Sequence, residues 1–183
     1  MRHALKLHPD SRSRSVTAIT VDVKRSNASA IELHYVAEGD ISRVAIPPRA
    51  AESRHVDELW KHTCFEVFLR DPAGIGYAEF NFSPSTEYAG YAFPRYREGM
   101  SSQHCSKPEV SFVSDARRLD LRASVWMGRV SHINPDGPLR LGISAIIEET
   151  DGTKSYWALA HPQGKPDFHH IDSFALALAP EKT

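Results

Sequence analysis

No stretch of this 183-residue sequence holds the run of about 20 apolar residues that a membrane-spanning helix requires. The first ten residues, MRHALKLHPD, lack the continuous apolar segment of a secretory leader. An excess of one charge is missing too. The 22 Lys and Arg residues face 23 Asp and Glu, for a formal net charge of −1, and the scattered basic residues form no nucleic-acid footprint. Arg12 and Arg14, set among serines, read as a solvated tail. Cysteine is scarce: Cys64 sits in an apolar alternation and Cys105 in a loop-like segment. Two thiols permit one disulfide, but their spacing does not ask for it, and reduced thiols are expected. The glycines are too isolated for a GxGxxG or Walker loop, and GxSxG, HExxH and paired CxxC are all absent. These absences leave a soluble, cytoplasmic protein with neither nucleic acid nor membrane as partner. The oligomeric state is not legible.

What is present is a succession of short β-type runs. Residues 1–15 are polar and irregular and read as a partly flexible segment; residues 16–183 read as a single domain. Val16–Val23 and Ile31–Val36 are rich in β-branched residues, with the turn composition SNAS between them. A shorter run, 41–46, stops at Pro47 and Pro48. Residues 53–62 suit one helical turn with Ser53 as N-cap. Further strands are expected at 87–93, 109–113, 119–127, 139–147, 156–158 and 173–178, and residues 94–108 read as loop. About ten strands with frequent turn signals and no sustained helical period indicate an all-β chain, an antiparallel β-sandwich of jelly-roll or immunoglobulin-like type.

The most informative stretch is Leu59–Met100. Phe65, Val67 and Leu69 alternate with Cys64, Glu66 and Phe68, while Ala78, Phe80 and Phe82 alternate with Tyr77, Glu79 and Asn81. A turn centred on DPAGIG pairs Phe65 with Phe82, Val67 with Phe80 and Leu69 with Ala78. The same register pairs Glu66 with Asn81 and Phe68 with Glu79. One apolar face and one polar face are thereby aligned together, and a slip of one residue would scramble both.

Carboxylates and an amide on one sheet face suit the bidentate hydrogen bonds of vicinal sugar hydroxyls, and Trp60 and Trp157 offer flat faces for a pyranose ring. The plainer explanation is a half-exposed sheet whose polar side chains face water. A carboxylate pair also raises glycoside hydrolysis by Glu66 and Glu79, but nothing in the sequence marks an acid with a raised pKa. His161, His169 and His170 cluster near Asp167 without the spacing of metal ligands, so no metal site is expected.

The motifs LWKHTCFEVFL, YAEFNFSPS, YAFPRYREGM and the closing SYWALAHPQGKPDFHHIDSFALAL resemble bacterial DOMON-like proteins, relatives of family 9 carbohydrate-binding modules. The resemblance covers residues 15–178. It implies a DOMON-like antiparallel β-sandwich with a ligand site on one sheet or its rim. In such modules two tryptophans clamp a terminal sugar, and one is followed six residues later by a hydrogen-bonding glutamate. Trp60 and Glu66 have that spacing, and Trp157 supplies the second face. The expected ligand-binding set is therefore Trp60, Glu66, Glu79, Asn81 and Trp157, with Tyr91, Arg95, His161 and His169 beside them, for a carbohydrate or small polyol and without catalysis or a cofactor. The DOMON relationship also brings in haem, with Met100 or Met127 and a histidine as axial ligands. A further alternative is a protein-interaction module without a small ligand.

Overall fold

The computed structural model describes residues 2–27, 29–103 and 106–180. Its strands are β1 (Arg2–Leu7), β2 (Val16–Asn27), β3 (Ala30–Gly39), β4 (Cys64–Arg70), β5 (Tyr77–Phe82) and β6 (Tyr88–Phe93). After these come β7 (Ser101–Ser102), β8 (Glu109–Ser114), β9 (Arg118–Trp126), β10 (Leu139–Glu148), β11 (Lys154–Ala158) and β12 (Leu176–Leu178). One antiparallel path, β7-β6-β5-β4-β10-β11-β1-β2-β3-β9-β8, curls into the two layers of a β-sandwich, and β12 lies beside β10. The corner is β1. Its first residues pair with β2 (Leu5 opposite Ile19) and its last with β11 (Leu7 opposite Trp157).

Period-2 alternation builds the core. Along β9, Leu119, Leu121, Ala123 and Val125 are buried while Arg118, Arg122 and Trp126 are exposed. The facing layer contributes Phe65, Val67 and Leu69 from β4, Phe80 and Phe82 from β5, and Leu141, Ile143 and Ile147 from β10. Each such side chain contributes about 1.5–3 kcal/mol of burial. Tyr35 crosses between the layers, and its Oη donates to the Glu66 carbonyl at 2.7 Å. At the end of β3 only glycine fits: Gly39 has φ +153°, and a Cβ there would lie 2.0 Å from the Ser15 carbonyl oxygen.

The expected hairpin register is the observed one for all five pairs. Elsewhere the structure departs from the sequence-based expectations. Residues 2–7 form β1 where an irregular N-terminus was expected, because the sandwich offers two strand edges for them to bridge. The carboxylate of Glu149 then holds the next segment, accepting hydrogen bonds from the Arg14 and Ser15 N–H groups at 2.6 and 3.0 Å. The run 41–46 is a 3-10 turn at Ile41–Arg43 followed by a single bridge from Val44 to Glu149. The helical turn is shorter and later than expected, Leu59–Lys61, and Glu58 precedes it in a left-handed conformation without a side-chain cap. The stretch read as loop contains β7, and the last strand is reduced to β12 behind a 3-10 turn at Ile171–Ser173. Cys64 is a buried free thiol; Cys105 lies outside the described residues.

Candidate functional site

Across β10, β4, β5 and β6 the register sets the side chains that point away from the core in three rows. Ser144, Glu66, Asn81 and Ala89 form one row, Gly142, Phe68, Glu79 and Tyr91 the next, and Arg140, Arg70, Tyr77 and Phe93 the third. Two loops cover this face. Val56 and Leu59 arrive from the segment before β4, and Phe168 and Phe174 from the segment before β12, to make a second apolar cluster with Phe68, Tyr91, Phe93 and Ile146. Gly142 lets the second loop settle, since a Cβ there would be 3.3 Å from the Ser173 carbonyl oxygen. As a result β4 and β5 are buried on both faces, in contrast to the half-exposed sheet the alternation suggested.

The polar groups of the rows are enclosed with it. Glu66 is 2% exposed, Glu79 5% and Asn81 0%. Ser144 Oγ donates to Glu66 Oε2 at 2.8 Å, and Asn81 Nδ2 donates to Glu79 Oε1 at 2.8 Å. Asn81 Oδ1, also buried, accepts no hydrogen bond from the described residues. Burial pushes both carboxyls well above the usual range, and repulsion from Glu79 adds to the shift of Glu66. Near neutral pH the row therefore carries protons as well as acceptor oxygens, and can both donate to and accept from a neutral hydroxylated ligand.

His169 stands beside it. Tyr77 Oη accepts the Arg97 N–H at 3.1 Å and shares a hydrogen bond with His169 Nδ1 at 2.8 Å. His169 Nε2 lies 3.7 Å from Glu79 Oε2. Burial, reinforced by the nearby Arg97 cation, lowers His169 to about 4, so the ring is neutral. Asp167 ties the neighbouring loops together. Its Oδ1 accepts from Arg97 at 2.8 Å and from the His169 N–H at 3.1 Å, and its Oδ2 accepts from Tyr96.

At the far end of the third row a cleft of about 360 Å³ opens to solvent between Arg70, Tyr77, Tyr96, His169 and Phe174. Ile75, His170 and Ile171 complete its rim. Three of the large apolar residues most exposed in the molecule, Ile75, Tyr96 and Ile171, gather there. His169 belongs to both the cleft wall and the surroundings of Glu79. A larger groove, about 660 Å³, lies on the outer face of β2, β3, β9 and β8. Among its charged residues Asp22 pairs with Arg2 and Lys24 with Glu32, and His34 is hydrogen-bonded to Asp120. The cleft, unlike this groove, adjoins the buried carboxyls through His169, so the cleft and the row behind it are the better candidate.

The structure brings Glu66, Glu79, Asn81, Tyr91 and His169 onto one face and separates the other expected residues from them. Trp157 pairs opposite Ala145 on the core side of β11, where it is 4% exposed and its Nε1 donates to Ser155 Oγ at 3.0 Å. Alternation along β11 points it away from the rows, so it forms no clamp with Trp60. Trp60 itself is 46% exposed, with the Lys61 ammonium 5.6 Å from its ring centre. It precedes β4, whereas the cleft opens where β4 ends, about 20 Å further along the strand. Tyr91 Oη donates to Asp57 at 2.9 Å; burial, with this hydrogen bond adding to it, raises the phenol's pKa. Arg95 sits on the surface 3.6 Å from Glu98. His161 faces His8 near β1, where its Nε2–H donates to the Lys6 carbonyl at 2.8 Å. Met100 is exposed and Met127 lies in the core. Tyr77 and Ser144 were not anticipated. Ser144 and Tyr77 share the alternation of their strands with the site residues, but only the β4–β10 pairing shows that Ser144 meets Glu66.

No family model and no curated protein matches this sequence. Solved structures do. A candidate carbohydrate-binding protein from Bacteroides uniformis superposes with a TM-score of 0.71 at 13% identity, over 99% of this chain and 86% of the other. A family 9 carbohydrate-binding module from Caldicellulosiruptor kristjanssonii, in complex with cellotriose, superposes with a TM-score of 0.55 at 7% identity, over 90% and 74%. The β-sandwich is shared with these proteins.

Proposed function

We propose that this protein is a non-catalytic β-sandwich that binds a carbohydrate or a small polyol, of DOMON-like type. The observation that carries this reading is the buried row Glu66–Asn81–Glu79, with an amide oxygen left unpartnered among the described residues. A sheet face needed only for packing would not retain two carboxyls whose burial is costly. A likeness of fold to carbohydrate-binding modules supports the same reading. The ligand enters at the cleft, where its ring packs against Tyr77 and Phe174. Its hydroxyls reach Glu79 and Asn81 past His169, which turns aside as a neutral ring without breaking an ion pair. Protonated carboxyls donate to hydroxyl oxygens, and the Asn81 oxygen accepts.

The test is calorimetric titration with glucose, cellotriose and a panel of mono- and disaccharides. Saccharide binding is expected, and Glu79→Gln and Asn81→Ala should weaken it at least about tenfold, the value of one or two lost hydrogen bonds. The exposed Trp60, replaced by alanine, should leave thermal stability nearly unchanged. A panel blank at millimolar concentration, or affinities untouched by both row substitutions, sinks the proposal. The same titrations report turnover, so hydrolysis lost in Glu66→Gln would point instead to the glycosidase reading of the pair.

A further inference from the structure

Arg70 and Arg140 are direct cross-strand partners in the β4–β10 ladder, on the face that carries the cleft. Side chains so placed have Cβ atoms about 5 Å apart, and like charges there repel. The usual remedy is an acidic neighbour. Neither guanidinium makes a hydrogen bond or ion pair with any of the described residues. Arg97, Arg95 and Arg54, by contrast, are matched by Asp167, Glu98 and Glu87. Arg70 is half-buried and forms part of the cleft wall, next in the row to Tyr77.

Other charges around the cleft do not neutralise the pair. Asp167 is occupied by Arg97 and Tyr96. Asp172 is exposed, 3.5 Å from His170 Nδ1, and the Asp71 Oδ1 accepts the Ala73 N–H within the hairpin turn. His169 is neutral. No carboxylate lines the cleft. An aromatic-walled cleft with the unmatched Arg70 in its wall, and the exposed Arg140 opposite Arg70 on the neighbouring strand, is complementary to a ring-shaped ligand bearing an anionic group. The planar fork of arginine suits a carboxylate in particular.

We propose that the cleft selects an acidic saccharide, a uronate whose carboxylate is held by Arg70 and Arg140 while its ring lies against Tyr77 and Phe174. This rests on the carbohydrate reading and names the class of sugar. A cleft of about 360 Å³ lies near the lower end of small-ligand pockets, suited to one or two rings. The cross-strand repulsion is relieved when the carboxylate arrives, so the same residues that bind the ligand destabilise the free protein.

The experiment compares glucuronate, galacturonate, glucose, galactose and benzoate by calorimetry, on the full chain and on Arg70→Gln, Arg140→Gln and Arg70→Lys. A uronate should bind at least about tenfold more tightly than its neutral counterpart, with the preference falling as salt rises. Arg70→Gln and Arg140→Gln should remove the preference while their melting temperatures stay level or rise. Arg70→Lys should keep part of it. Equal affinity for uronates and neutral sugars, or a preference unchanged in both glutamine variants, overturns the inference and leaves the carbohydrate reading standing. Binding of benzoate alone, or of nothing, overturns both.

Discussion

Under the proposed carbohydrate-binding role, Glu66 and Glu79 act for function and against stability. Their folded pKa values lie above the ordinary glutamate value of 4.5 because burial disfavours the charged forms. Between that value and the raised folded values the native state binds more protons than the unfolded chain. Stability contributed by the pair is therefore complete below pH 4.5 and is lost as pH rises through the folded values. Replacing Glu66 by Gln removes the titration but keeps an acceptor for Ser144. Chemical denaturation of Glu66→Gln should show a gain of about 1–3 kcal/mol at pH 8 and a flatter stability–pH curve from mildly acid to neutral pH. A variant that is less stable at pH 8, or retains the wild-type slope, would show that the carboxyl is not the strained group inferred from its burial.

At the scale of elements, the loop before β12 closes the site, and Asp167 is what fastens it, reaching Arg97 and Tyr96 on one loop and the His169 backbone on its own. The interactions of Tyr96 and Arg97 with the Asp167 carboxylate hold its pKa below the usual value against the opposing effect of partial burial. Asp167→Asn keeps the size but loses the charge, and should raise amide hydrogen exchange across residues 165–174 by about tenfold while β4, β5 and β10 keep their protection. Exchange that rises equally in the strands would instead make the clamp part of the global fold. The same loop explains what the sequence could and could not reveal. The β4–β5 register was legible because alternation on two faces and one turn over-determine it. That both faces are buried was not legible, because Phe168 and Phe174 lie far along the chain and carry no period linking them to β4. Trp157 was misplaced for a related reason: the six-residue run SYWALA has a phase that either face could claim, and only its pairing with Ala145 decides it. Arg70 and Arg140 likewise look like ordinary surface charges until the β4–β10 ladder sets them opposite each other.

For the whole molecule the decisive strand is β1, the piece a sequence reading would trim. It joins the two layers, burying Leu5 and His8 at the corner, and Arg2 pairs with Asp22 at 2.9 Å. Without it β2 and β11 would each present an open edge, and the core residues Ile19 and Val21 would lose their neighbour on that side. A chain lacking residues 1–8 gives up one buried leucine and the ladder bonds on both edges. With β2 and β11 left as open edges, a net loss of about 3 kcal/mol is expected, the upper part of the range for a local lesion. Thermal unfolding of the truncated protein should then occur about 6–12 °C lower, or lose its single cooperative transition. The loss should also be selective in its consequence. The rows of β4, β5 and β6 lie several strands from β1, so any truncated protein that still folds should bind ligand at the cleft with its affinity intact. A melting temperature within about 2 °C of the full chain would mean that the corner closes without β1, and that its ladder bonds merely replace equally good bonds to water.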